Sequence, residues 1–488
     1  MNVTQQVVVV VVKLYEIWYD KIKLLEKVLM MKENKKTIKS HVDTLLIVSI
    51  PILFYLFFAF YDGVVICVDS PTYIDMSISR EPLYPMILAI TRAIFGTNYL
   101  FAVVVFQSVL AGIAASSIPL FLKRERKLDL PLVMILTFVP MATSILCRFV
   151  AQRASMYSNS ILTEGIACSM FLIFIRFLLE YCYCQNAKAL TISAVLCLLL
   201  ISTRKQMYFT LMLLLIGIVY TSIRKHTVKK GCILILACFF IIILANKGFD
   251  NIYGYVVHGT MHGHSSDNRF LATVTFYASE RENGENISDP EAQQLFYEIY
   301  DSCEEQGYLK HSAGKEWKYR VTHFGDSYDR IQIDTMWPTV EKYVSDNYTS
   351  DDVSREKMVD SYTEKIIRGL IPEVWPKIIR IFVDNMCVGL ITTVAKVHSV
   401  LLLYTFMIYA MYIAMLVYLA SHNRNNIAFI YGCLTIISIL LNVALVSAVI
   451  FCQTRYTIYN MPLFYMSLIL MMKECYMMRK GKETIEKV

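Results

Sequence analysis

About ten apolar runs of membrane-spanning length limit what this chain can fold into more than any other feature. A helix crossing a hydrocarbon core about 30 Å thick needs roughly 17 to 25 apolar residues. Such runs fall at 45–68, 98–121, 129–147, 162–183, 189–203, 207–223, 231–249, 398–420, 427–452 and 457–473. The fifth and sixth are short and joined only by Arg204 to Gln206, which predicts a tight hairpin. Apolar residues make up 56% of the 488 and charged residues 18%. That is more apolar surface than a water-soluble fold of this size can hide, so the expected class is an all-α polytopic membrane protein.

Lysine and arginine set the expected orientation. They crowd the first forty residues, KRERK at 123–127, RKHTVKK at 224–230, Arg424 and the tail from Arg479. These loops are read as cytoplasmic, and an even number of spans then places both termini on that side. The net charge of +7 sits in these loops, so it reports topology and gives no reason to expect nucleic acid as a partner. The VVVVVV run at 7–12 has no basic residue ahead of it and is too short for a signal peptide. The 13 cysteines lie mostly in apolar spans and suggest no disulfide framework.

The expected organisation follows. Residues 1–44 form a cytoplasmic segment whose Leu14, Ile17, Trp18, Ile22, Leu25, Val28 and Leu29 mark an amphipathic helix. Residues 45–249 are a membrane module with a first outer loop at 69–97. Residues 250–397, rich in acidic side chains, form an extracytoplasmic helical segment; 398–473 are C-terminal transmembrane helices, and 474–488 a cytoplasmic tail. Within the outer segment a helix is predicted after the Asp289 N-cap, with Pro290 in its first turn, Leu295, Phe296, Ile299 and Tyr300 on one face, and Gly307 past its end. A second runs from Ser354 to Ile371, with Pro372 stopping it. A third piece, from 375, is read as lying along the outer membrane surface.

Charged residues beside apolar spans need a partner or a task. The stretch VDSPTYIDMSISREPLYP at 68–85 places Asp69 directly after an apolar run, with Tyr73, Asp75, Arg80 and Glu81 close behind. A partly dehydrated carboxylate there can act as a general base; an aspartate before Ser-Pro equally suits a helix N-cap. Glu164 opens a long apolar span, with Arg148 and Arg153 upstream, and calls for a cation, a donor or a metal unless it only complements the helix dipole. Arg204 and Lys205 stand on the outer side, against the positive-inside trend. Arg455 and Tyr456 lie at the outer end of the ninth run. The arginines suit an anionic partner, phosphate above all, or lipid headgroups. By this topology four distant clusters converge on one face. His258, His262 and His264 match no tight metal motif.

DSPTYIDMSISREPLYPMILAITRAIFG, a following span with Gln107, SNSILTEGIACSMFLIF, LISTRKQMYF and TRYTIYNMPLF occur in this order. They resemble the signatures of GT-C membrane glycosyltransferases, closest to the bacterial branch related to dolichyl-phosphate-mannose–protein mannosyltransferases. The resemblance covers 45–223 and 370–473. It implies a GT-C-like fold with about ten transmembrane helices and short outer juxtamembrane helices. It also implies a polyprenyl-phosphate-linked sugar donor, transfer to a glycan, lipid or wall-polymer acceptor at the outer face of a bacterial plasma membrane, usually with inversion, and Asp69 as base. Tyr73, Asp75, Arg80, Glu81, Arg153, Glu164, Arg204, Lys205, Arg455 and Tyr456 form the candidate substrate-binding set. Glu164 is expected to orient the acceptor, hold a divalent ion or pair with an arginine. Lys205 departs from the family pattern, which usually has proline after the arginine. The competing class, a lipid-linked-oligosaccharide flippase or small-molecule transporter, would place polar residues and broken helices near the midplane in matched halves.

Overall fold

The computed structural model describes residues 35–150, 155–261, 263–265 and 268–485. The expected amphipathic helix at 14–29, Arg153 and His262 lie outside the described residues. Among the described residues the architecture is all-helical, and the extended pairing is one isolated bridge, Val65 to Ser160. Eight helices are long and apolar enough to cross a membrane: Ser40–Asp62, Leu83–Arg126, Leu130–Phe149, Glu164–Cys184, Lys205–Arg224, Val228–His258, Val400–His422 and Ile427–Val449. The two other expected runs also fold as helices, Ala187–Ile201 and Met461–Ile485, though neither belongs to the eight.

The helices run between two polar layers. At one end Lys123 meets Asp43 at 2.7 Å, and Arg126 and Asn426 share Glu474 at 2.7 and 2.9 Å. The other end carries the candidate site. The two shorter helices can be followed from their bonded ends. Ala187–Ile201 starts beside Glu180, which accepts from Asn186, and ends where Ser202 accepts from the Leu83 N–H. Met461–Ile485 starts beside buried Asn460 and carries Glu474 at the far end.

The first helix stops at Asp62, short of the expected residue 68. Gly63 turns the chain with φ +67°, and the Asp62 carboxylate is held by both Arg148 amino groups (2.8 and 2.9 Å) and by Ser155. The apolar residues that follow are a short non-helical crossing. Val65 donates to Asn159 and accepts from Ile161, which binds this crossing to the segment before Glu164. Hydropathy registers the run but not the turn that ends the helix.

Residues 268–374 build their own core around Phe276, Phe296, Ile299, Tyr328, Val340 and Ile366. The helix Pro290–Glu305 forms as expected: the Asp289 carboxylate accepts from Ala292 N–H, and Gly307 takes a positive φ. Pro372 does not stop the next helix. Asp352–Val394 continues through Pro372 and Pro376 for 43 residues. Each proline removes one helical hydrogen bond, but apolar contacts continue on both sides, through Ile366, Leu370, Val374 and Ile381. Its last turns do not rest freely on a surface. Gly389 lies so close to Val443 that a Cβ would come within 2.4 Å of it, and Asn385 donates to the Ile450 carbonyl at 3.1 Å.

Helix contact in the membrane part is equally close at Gly112, where a Cβ would fall 2.6 Å from the Ile52 Cα and 2.7 Å from its nitrogen. Backbone cannot rotate away as a side-chain tip can, so Gly112→Ala should cost about 1–3 kcal/mol. Gly248 has no neighbour within 4 Å of its notional Cβ; Gly248→Ala should hold or raise stability. Thermal unfolding in detergent checks the pair: a lowered midpoint for the first variant only.

Candidate functional site

Asp69 follows the Val64–Val68 crossing. Ser70 Oγ accepts from Cys67 N–H, Thr72 Oγ1 donates to the Asp69 carbonyl, and Pro71 fits the first turn of the short helix Ser70–Ile74. Asp69 occupies the N-cap position, yet its side chain accepts no capping bond. Its two oxygens are taken instead by guanidiniums: Oδ1 by Arg80 at 3.0 Å and Oδ2 by Arg455 at 2.9 Å. Arg80 is fixed by its own loop, since Nε donates to Thr72 Oγ1 at 2.8 Å and the group lies 4.6 Å over the buried Tyr73 ring.

Glu164 begins the Glu164–Cys184 helix and is only 2% exposed. Its place is set by Gln107, wholly buried, whose amide donates to the carbonyls of Ser158 (2.9 Å) and Ser160 (3.2 Å) and accepts from Tyr84. Gly165 leaves the room for it; a Cβ there would meet Gln107 Oε1 at 2.4 Å. Glu164 Oε1 receives Arg455 Nε at 2.6 Å and Arg204 Nη1 at 2.8 Å. Of the tasks expected for Glu164, the structure shows pairing with arginine.

Arg204 stands in the turn between Ala187–Ile201 and Tyr208–Arg224. Glu81 accepts from Lys205 N–H at 2.9 Å, and Gln206 donates to Asn442 and to the Tyr456 carbonyl, both at 2.8 Å. The turn thereby joins the first outer loop to the strip carrying Arg455. Arg204 lies 5.1 Å over the Tyr456 ring. Its contact with Tyr459, which donates no local sequence signal of its own, is 3.5 Å.

The result is a continuous chain, Arg80–Asp69–Arg455–Glu164–Arg204, drawn from four separated parts of the sequence. Three guanidiniums face two carboxylates, an excess of one positive charge. Burial raises the Asp69 carboxyl, but Arg80 and Arg455 outweigh it and hold the group below the usual carboxylate range. Glu164 holds the Arg455 guanidinium firmly charged against the cost of its burial.

The other candidates are placed unequally. Arg80 belongs to the chain of charges, and Tyr73, Glu81, Lys205 and Tyr456 border it. Asp75 is exposed and ends the short helix through its backbone N–H. Arg148 pairs with Asp62 rather than Glu164. His264 bonds Asp250 at 2.8 Å. No group of three or more His, Cys, Asp or Glu side chains among the described residues is arranged to hold a metal ion. Asp62 was not singled out from sequence, because its partner Arg148 lies far along the chain. No protein-family profile, curated protein or solved structure matches the chain.

Glu164→Gln leaves Arg204 with a neutral partner inside the protein and Arg455 with Asp69 alone. Breaking a buried pair in this way costs about 3–5 kcal/mol, whereas exposed pairs contribute little. The thermal midpoint should therefore fall clearly in Glu164→Gln and stay in place in Asp301→Asn, which breaks the exposed contact with Arg281.

Proposed function

We propose that this protein is a multi-pass membrane glycosyltransferase of the GT-C type, moving a sugar from a polyprenyl-phosphate carrier to an acceptor hydroxyl at the outer face, with inversion. The observation that carries the reading is the meeting of Asp69, Glu164, Arg204 and Arg455, from distant segments, beneath a separately cored helical segment. In this reading the eight long helices and the two shorter ones are ten spans. The layer with Lys123, Arg124 and Arg126 faces the cytoplasm, as basic loops do. The site then faces outward, and both termini lie inside.

The arrangement suits a lipid phosphate as leaving group. Guanidiniums grip phosphate oxygens through paired donors. Arg204 and Arg455, oriented before any substrate arrives, would counter the charge that grows as the sugar–phosphate bond breaks. The excess positive charge of the chain balances one phosphodiester. The isoprenoid tail would lie among the helices, and the acceptor, a glycan, lipid or wall polymer, would enter from beneath the outer segment.

In this reading Asp69 is the base that takes the acceptor proton. Its two oxygens also hold Arg80 and Arg455, which keep its carboxyl low until substrate engages those guanidiniums. A transporter reading gains no comparable support, since the charged chain gathers at the helix ends.

Arg204→Ala and Arg455→Ala should each weaken the apparent affinity for a polyprenyl-phosphate sugar about tenfold or more, the worth of a hydrogen bond to a charged group. Both variants should still insert into membranes. Donor titration of purified protein measures this, and an unchanged donor affinity in both contradicts the phosphate role.

A further inference from the structure

The end of the helices opposite Asp69 carries a second set of charges. They border an open cavity of about 610 Å³, a volume typical of ligand sites. Three helices line it. Ser40 and Thr44 come from Ser40–Asp62, Phe121, Lys123 and Arg124 from Leu83–Arg126, and Arg176 from the helix that opens with Glu164. Among the described residues no carboxylate lines this cavity.

The acids that balance the three cations bond them from outside the lining. Asp43 meets Lys123 at 2.7 Å, Glu125 meets Arg124 Nε at 2.8 Å, and Glu180 meets Arg176 at 2.6 Å. Asn186 donates to Glu180 at 2.9 Å and so fixes the acid that holds Arg176. The Arg176 and Arg124 guanidiniums lie 5.4 and 5.6 Å from the centre of the buried Phe121 ring. Carboxylates that fix cations without entering the cavity leave its wall positive, and an anion placed there meets the cations first. Each guanidinium has five donors, so pairing with one acid leaves others for an anion.

The depth of the cavity favours a lipid. Lys123 and Arg124 stand in the last turn of their helix. Arg176 is eight residues short of Cys184, about 12 Å along its own helix. An arginine inside an apolar span is costly and faces a polar cavity or an anionic partner. Leu45, Leu46 and Leu53 are exposed on the helix that also carries Ser40 and Thr44, an apolar surface for acyl chains. A soluble phosphate ion gains nothing from that surface. Basic pockets between membrane helices are suited to anionic headgroups.

We propose that this cavity binds the phosphate headgroup of an anionic membrane lipid, held by Lys123, Arg124 and Arg176. The assignment stands apart from the glycosyltransferase reading; in the orientation adopted there, the lipid belongs to the inner leaflet. Bound in this way, the lipid joins the first two spans to the Glu164 helix and steadies that helix at the end away from Glu164.

The test uses the full chain, purified in detergent and stripped of lipid, with phosphatidylglycerol, phosphatidylcholine and inorganic phosphate as probes. Native mass spectrometry counts the bound lipid, and the thermal midpoint reports its effect. Phosphatidylglycerol should bind about fivefold or more tighter than phosphatidylcholine and raise the midpoint. Thr44→Trp fills the cavity without removing a charge, while Arg124→Gln and Arg176→Gln each remove one cation. All three should weaken phosphatidylglycerol binding about five- to tenfold and remove most of the rise. Lys188→Gln neutralises an exposed lysine at the same end but outside the lining, and should leave binding within about twofold. If Arg176→Gln fails to fold because Glu180 loses its partner, Thr44→Trp and Arg124→Gln carry the test. Wild-type binding in those two variants, or an equal loss in Lys188→Gln, overturns the assignment. So does inorganic phosphate that binds as tightly as the lipid and gives the same rise.

Discussion

The buried Glu164 carboxylate is the constraint from which the rest of the site follows. An ionised group 2% exposed at the head of an apolar helix is costly unless opposite charge meets it with good geometry. The helix dipole supplies a small part of that compensation. Two guanidiniums supply the greater part, and they come from residues 204 and 455, so a stable Glu164 requires the fifth-to-sixth hairpin and the strip before the last helix to be in place together. Arg455 extends the same demand to Asp69, and Asp69 to Arg80. Removing Glu164 takes from Arg204 the carboxylate it pairs with, and removing Asp69 does the same to Arg80.

The scaffold around this chain is arranged to fix it before a substrate arrives. Gln107 and Gly165 set where the Glu164 helix begins, and Gln206 with Asn442 sets the spacing between Arg204 and the Tyr456 carbonyl. The outer segment reaches down at several points: Ser265 N–H donates to the Ile78 carbonyl, Tyr328 to that of Val449, and Asn385 to that of Ile450. These bonds tie the outer segment both to the first outer loop and to the strip that carries Arg455.

Much of this was legible in the sequence because the signals are local. A run of apolar residues defines a helix by its own length, and Asp289-Pro290 starts one through its own backbone. The four charged clusters stood out because charge beside lipid is costly wherever it occurs. What the sequence left open were long-range choices. The end of the first helix depends on Asp62 finding Arg148, and the passage of a helix through Pro372 and Pro376 depends on apolar contacts made elsewhere. The competition for Asp69, between capping its own helix and binding two arginines, is decided by Arg455, almost the whole chain away.

The most direct measurement is a cryo-electron microscopy map of the protein in nanodiscs containing polyprenyl phosphate. The account predicts phosphate density within reach of both Arg204 and Arg455, with Glu164 behind them and the outer segment above. A map in which the two arginines lie apart, with Glu164 turned to lipid and the phosphate bound elsewhere, would contradict it.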